Sequence, residues 1–366
     1  MSKNTRTSHP YHMYEAILAQ PEAFARTVER LETEIERLAG ELASCRRVYL
    51  VGIGTSLYAA LIGEHLMREY AAGIDIRAVH SFDFALYGPE LSPEDGVVTI
   101  SHRGTKRYTA QALSKAREAG CRTAIISGEY GAPEDAADFV LRTVAQEQSS
   151  AYTVSFTAAV SALAGLASRL GSHRMAEESL DRDFLLTGFP QKLREALGKE
   201  EQVSSLARGH ADARRLWIVG GGPSAVTAEE ATLKIKETSY LQAEGLSTEE
   251  MLHGPFQCVE EEDLFVLLAP SGAAQERIFD LTRAVRKVGA PYLLVEDGTA
   301  ESLKDKAAGR IVVPEVPEPF TALSCLVPLQ LFAYHLALLR GTNPDDFRGE
   351  DSRFAGFAEQ IGRAHV

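Results

Sequence analysis

The chain has 366 residues, 45% of them apolar and 24% charged, a globular composition with ample core and enough length for two domains. Its formal net charge of −13 argues against nucleic acid as a partner, because neutralising phosphates along a strand needs a basic face. Cys45, Cys121, Cys258 and Cys325 lie far apart with no CxxC pair, as expected of reduced thiols in a cytoplasmic protein, and the polar first residues do not read as a signal peptide.

Residues 1–12 carry no periodic pattern. Met13 to Leu42 is periodic at helical spacing, with Pro21 suited to a helix start, so 1–45 is expected to be an N-terminal helical segment. A first α/β domain is expected over 46–173. In it Val48–Val51 reads as a buried strand, followed by the turn Gly52-Ile53-Gly54-Thr55-Ser56 and a helix to about Tyr70. Strands follow at Ile74–His80 and Val97–Ile100. The second leads into Ser101-His102-Arg103-Gly104-Thr105-Lys106 and a helix to about Ala119. Arg122–Ile126 and Phe139–Val144 read as further strands, and a helix is expected from Glu147 to Leu170. Its apolar part, from Val154, is interrupted by Ser155, Thr157, Ser161 and Ser168, so it reads as a buried helix and not as a membrane span. The charged stretch 174–213 is expected to be a helical linker.

The pattern then starts again. Arg214-Arg215-Leu216-Trp217-Ile218-Val219-Gly220-Gly221-Gly222 is a near-copy of Arg46-Arg47-Val48-Tyr49-Leu50-Val51-Gly52-Ile53-Gly54, about 168 residues earlier. A helix is expected after it to about Ala243, then a turn at His253-Gly254-Pro255. Strands at Leu264–Ala269 and Tyr292–Val295 and an apolar helix over Phe320–Leu339 repeat the first half. A long-period repeat of alternating strands and helices implies two copies of one α/β domain, the second over 214–342, with 343–366 as a polar tail.

Two groups of residues carry chemistry. The glycine-rich turns of the first half set free backbone N–H groups and the positive end of a helix beside Thr55, Ser56, Ser101, His102, Arg103 and Lys106. Two such turns at the ends of neighbouring strands make a cradle for an anion, phosphate above all. The plain alternative is tight turns that only reverse the chain. In the second half Glu230, Lys234 and Glu237 stand four and three residues apart and share one helix face, and His253 follows. Carboxylate, ammonium, carboxylate and imidazole are the groups that move protons on a small anionic substrate. The plain alternative is a solvated, salt-bridged face. Gly220-x-Gly222-x-x-Ala225 fits the dinucleotide fingerprint, but no acidic residue closes a following strand at the required distance, so no nicotinamide cofactor is expected. No metal is expected either, since HExxH and CxxC spacings are absent.

Taken in order, these residues resemble a known family. The repeat, Gly52-Ile53-Gly54-Thr55-Ser56, Ser101-x-x-Gly104, Glu147-x-x-x-Ala151-x-Thr153-x-x-Phe156-Thr157, Glu230-x-x-x-Lys234-x-x-Glu237-x-Ser239-Tyr240, Glu250-x-x-His253-Gly254-Pro255 and Pro328-Leu329-Gln330-Leu331-x-Ala333-Tyr334-His335 are similar to the tandem sugar isomerase (SIS) domain proteins. The resemblance extends to the isomerase part of glucosamine-fructose-6-phosphate aminotransferase, over about residues 13 to 345. It implies two flavodoxin-like SIS domains, each a parallel sheet with helices on both faces. It also implies a cytoplasmic phosphosugar isomerase or aminosugar-6-phosphate deaminase, acting by ring opening and C1–C2 proton transfer. A fructosamine-6-phosphate deglycase and a non-catalytic sugar-phosphate-binding SIS regulator stay as alternatives.

By the same resemblance Ser56, Ser101 and His102 hold the phosphate, Glu237 is the base with Lys234 and Glu230 as its neighbours, and His253 assists ring opening from the other subunit of a homodimer. Neither nucleic acid nor membrane is an implied partner. No glutaminase domain is expected in this length, and hence no glutamine-dependent ammonia transfer. Three departures point to a substrate other than fructose 6-phosphate. Arg103 and Lys106 stand where the family's phosphate loop has hydroxyls. Ser150-Ala151-Tyr152-Thr153-Val154 replaces Val-Ala-Ser-Thr-Lys, which brings Ser150 and Tyr152 in as substrate contacts. No lysine follows Lys306, and the tail groups Arg348, Arg353 and His365 cannot form an imine.

Overall fold

The structure is a computed structural model that describes residues 6–71, 73–300, 303, 306–349 and 351–354. The first half runs α1 (His12–Leu18), α2 (Gln20–Arg30), α3 (Glu32–Leu42), β1 (Arg47–Gly52), α4 (Thr55–Tyr70), β2 (Asp75–His80), α5 (Ser81–Tyr87), β3 (Asp95–Ile100), α6 (Arg107–Glu118), β4 (Arg122–Ser127), β5 (Phe139–Arg142) and α7 (Val154–Arg174). A π-helical turn (Phe184–Gly188), α8 (Phe189–Leu197) and α9 (Glu200–Gly209) follow. The second half runs β6 (Leu216–Gly220), α10 (Pro223–Ser239), β7 (Ala243–Ser247), α11 (Thr248–Leu252), β8 (Leu264–Leu268), α12 (Gln275–Val288), β9 (Tyr292–Glu296), β10 (Gly309–Val312) and α13 (Glu318–Leu339).

The strands form two sheets, β2-β1-β3-β4-β5 and β10-β9-β8-β6-β7. Every pairing is parallel, so the expected flavodoxin-like α/β arrangement occurs twice with the same strand order. Central strands of such sheets are covered on both faces and read as unbroken apolar runs. Leu216-Trp217-Ile218-Val219-Gly220 is buried throughout for that reason. The chain divides into two compact units. One, built on the first sheet, takes the described residues within 19–147, 152–190 and 348–354; the other, built on the second sheet, takes those within 6–18, 148–151 and 191–347.

The repeat reaches into backbone detail. Gly54 and Gly222, the residues before α4 and α10, have nearly the same dihedrals (φ 58, ψ −134 and φ 54, ψ −128), in a region that side chains other than glycine rarely adopt. The fully buried Asp95, the first residue of β3, and Asp263, the residue before β8, each accept from a backbone N–H three residues back, Ser92 and Glu260. The two long apolar helices repeat as well. α7 and α13 are each long and apolar enough to span a bilayer, but 83% of each apolar window is buried inside the protein, α7 among α2, α3 and α4 and α13 among α1, α9 and α10.

Three elements differ from the sequence reading. The helix expected from Glu147 begins at Val154, because the Glu147 carboxylate accepts from the N–H and hydroxyl groups of both Thr153 and Ser155 and so caps the helix from outside. The helix expected to reach Ala243 ends at Ser239, where Tyr240 turns left-handed (φ 58), and Ala243–Ser247 forms the edge strand β7. Residues Ala243-Glu244-Gly245-Leu246-Ser247 offer little apolar alternation, which is why no strand was legible there. α5 gave no separate signal because it follows β2 without a turn residue. His365 and the rest of the tail from 355 lie outside the described residues.

Candidate active site

In the unit of the first sheet, the turns after β1 and β3 meet where the strand order reverses, the usual place for a ligand in an open parallel sheet. The cleft there is lined by Thr55 and Ser56 at the start of α4, by His102, and by Tyr152. Ser127 at the end of β4, Thr143 just past β5 and Ser155 in the first turn of α7 line it too, and the sequence reading did not include them. Their signal was position: each stands at the carboxyl end of a strand or the start of a helix.

Two polar atoms of this loop are buried without a hydrogen-bond partner, Ser101 Oγ and His102 Nδ1. Most such atoms in folded proteins are paired, so an unpaired pair at one site calls for a ligand or a cost. The His102 ring is neutral: burial, helped by the charge of Arg103, pushes its pKa down to about 4. Its Nε2 accepts from the Glu147 backbone N–H at 3.3 Å, which assigns the ring proton to Nδ1. Ser101 and His102 thus carry two neutral donors, and His102 lines the same cleft as Thr55 and Ser56 at the positive end of α4, an arrangement suited to a phosphate. The ring of Tyr152 stands edge-on to His102 (centroids 5.4 Å apart), and the Arg103 guanidinium lies over that ring, 5.6 Å from its centre. Lys106 is the residue before α6. Ser150 belongs to the other unit, where its N–H donates to the Asp345 carbonyl at 3.0 Å.

The matching loop of the second sheet is filled from within. Ser271 N–H and Oγ donate to Asp297 at 2.7 and 2.5 Å, and Ala273 N–H donates to Glu318 Oε1 at 3.0 Å. Asp297 and Glu318 thus engage Ser271 and Ala273, which stand where the first loop has Arg103 and Thr105, while Ser101 and His102 are matched by Ala269 and Pro270, which carry no side-chain donor.

The second unit carries the charged cluster on α10. Lys234 Nζ lies 3.4 Å from Glu230 Oε1 and donates to Glu237 Oε2 at 2.7 Å. Glu230 and Lys234 are buried (0% and 1% side-chain exposure), whereas Glu237 keeps 20% of its side chain exposed. This is not a solvated surface face. Counting from the matched glycines, the twin helix α4 places Ile62 and Leu66 where α10 has Glu230 and Lys234, and both are buried. The fold therefore accepts apolar side chains at these two positions, and a buried ion pair is no stability requirement. A buried carboxylate–ammonium pair aligned with a partly exposed carboxylate is better suited to orienting Glu237 for proton transfer. His253 lies apart from that cluster in its contacts. It ends α11 with its side chain 74% exposed, and its Nε2 is 3.1 Å from Glu249 Oε2. Glu250 serves α11 itself, forming a capping box with Ser247.

The SIS domain matches the chain twice, over residues 41–169 and 211–340. The glutamine–fructose-6-phosphate aminotransferase (isomerizing) of Aquifex aeolicus is 30% identical over 340 residues, which are 92% of this chain and 56% of that protein. The chain thus spans little more than half the length of this relative. Among solved structures, the tagatose-6-phosphate ketose/aldose isomerase of Escherichia coli superposes with a TM-score of 0.78 at 19% identity, covering 93% of this chain and 96% of its own. The glucosamine-6-phosphate deaminase of Thermotoga maritima gives 0.73 at 20% identity, covering 92% and 98%. At such identities these two likenesses are likenesses of fold.

Proposed function

We propose that this chain, which belongs to the SIS domain family, is a phosphosugar isomerase or aminosugar-6-phosphate deaminase. The observation that carries the reading is the Glu230–Lys234–Glu237 cluster, whose buried pair Glu230–Lys234 stands where the twin helix is apolar. A regulator that only binds a sugar phosphate has no use for a buried charge pair behind an accessible carboxylate. The neighbours in fold, by their names, act on a ketose/aldose pair and on an aminosugar phosphate, which supports the same substrate class.

In this reading Ser56, Ser101 and His102 bind the phosphate and supply binding energy remote from the reacting carbons. Glu237 takes the proton from C2 or C1 of the open-chain sugar to give an enediol or enolamine, and returns it to the neighbouring carbon. In a deaminase the amine then leaves. Incubation with a panel of hexose and aminohexose 6-phosphates, assayed for ketose and for ammonia, decides the matter. Turnover of at least one member is expected. Tight binding across the panel with no turnover would make the chain a sensor.

His253 is proposed to act in ring opening at the site of a second copy of the chain, in a homodimer, which fits its exposure and its distance in contacts from the α10 cluster. Mixing inactive Glu237→Gln chains with inactive His253→Ala chains should then restore up to about a quarter of the parental activity under random pairing, because mixed dimers hold one intact site. Mixed dimers that form but stay inactive would place His253 and Glu237 in the same chain's site.

A further inference from the structure

We propose that Arg103 reads a second anionic group on the substrate, a carboxylate borne by the phosphosugar in addition to its phosphate. The inference rests on the reading of the Ser101–His102 loop as a phosphate site. That loop already provides neutral donors for the phosphate, Ser101 Oγ and the Nδ1 proton of His102, both buried and unpartnered. Arg103 is not needed among them and is held elsewhere. Its guanidinium lies 5.6 Å from the centre of the Tyr152 ring, and its hydrogen bond to Tyr152 helps to counter the burial that raises the phenol's pKa. Tyr152 lines the cleft, and Arg103 rests on its ring, one residue away from the cleft-lining His102.

The charge of Arg103 is uncompensated. Among the described residues no carboxylate pairs with it. It precedes α6, whose first turn has no acidic residue. Cations at the positive end of a helix are unfavourable unless an anion joins them. A guanidinium presents a planar pair of donors that matches a carboxylate, and its contribution is specific in a way that a diffuse positive potential is not.

The test compares two unreactive ligands that differ only in one end group, 6-phosphogluconate with a carboxylate and glucitol 6-phosphate with a hydroxymethyl. Titration calorimetry on the full chain is expected to show 6-phosphogluconate bound about ten-fold or more tighter, the scale of one charge-assisted contact. Arg103→Gln should cut that preference to about two-fold or less and leave glucitol 6-phosphate within about two-fold of the parent, while Arg103→Lys should keep part of it. Equal affinity for the two ligands in the parent, or a preference that survives Arg103→Gln, overturns the proposal. Equal weakening of both ligands in Arg103→Gln also overturns it, by putting Arg103 on the phosphate. If neither ligand binds the parent, the phosphate site itself fails and the second anion with it; if both bind equally, only the second anion fails. A melting curve matched to the parent shows that each variant is folded.

Discussion

Glu237→Gln is expected to leave a folded protein that holds phosphosugars and does not turn them over. The amide keeps the shape of the side chain and can still accept from Lys234, now 2.7 Å from Glu237 Oε2, but it cannot take a proton from carbon. A positioned general base contributes about a hundred-fold to ten-thousand-fold, and the loss should fall on kcat. Binding should be nearly unchanged, because the donors assigned to the phosphate, Ser101 and His102, belong to the other compact unit. Steady-state kinetics beside calorimetric titration with a phosphosugar separates the two effects. A kcat within a few-fold of the parent would take the role of base away from Glu237.

Lys234→Leu should be the most destabilising single change on α10, and adding Glu230→Ile should reverse it. Removing the ammonium alone strands the fully buried Glu230 carboxylate, and breaking a buried pair in this way costs about 3–5 kcal/mol. The double variant copies what α4 carries at the matching positions, Ile62 and Leu66, where the same fold packs apolar side chains. Replacing both partners of a buried pair is commonly neutral or stabilising by about 1–4 kcal/mol. Chemical denaturation should therefore rank the double variant at or above the parent and the single variant well below it, with neither active. A double variant as unstable as Lys234→Leu would mean that the pair holds the helix in place, contrary to the comparison of the twin helices.

Much of this was legible before any coordinates. The near-copies around Gly54 and Gly222 and the unbroken apolar runs before them were enough for two parallel sheets, since each of those features has one local physical cause. The strand β7 was not legible, because its pairing partner β6 and not its own composition makes it a strand. The start of α7 was missed for a similar reason. Glu147 sits seven residues ahead of the helix, and only the folded chain shows its carboxylate taking up the N–H groups of Thr153 and Ser155. At the site, the helical spacing of Glu230, Lys234 and Glu237 was plain, yet spacing cannot tell a wet face from a buried one. Burial decided it. The tautomer and neutrality of His102 were likewise beyond the sequence, because the first depends on a backbone N–H that arrives from Glu147 and the second on burial of the ring.

The self-filled loop of the second sheet bears on how a duplicated protein divides its labour. Two descendants of one domain begin with equal claims on the same guest. With Asp297 and Glu318 engaged at the second loop, and Ala269 and Pro270 in place of Ser101 and His102, that copy lacks the side-chain donors assigned to the phosphate in the first. Charge could then accumulate farther along α10, at Glu230, Lys234 and Glu237, without trapping a second phosphate beside it. In the proposed reading, the copy whose loop is engaged by its own carboxylates is also the one that carries the charged cluster of α10, so that anchoring and proton transfer fall to different copies.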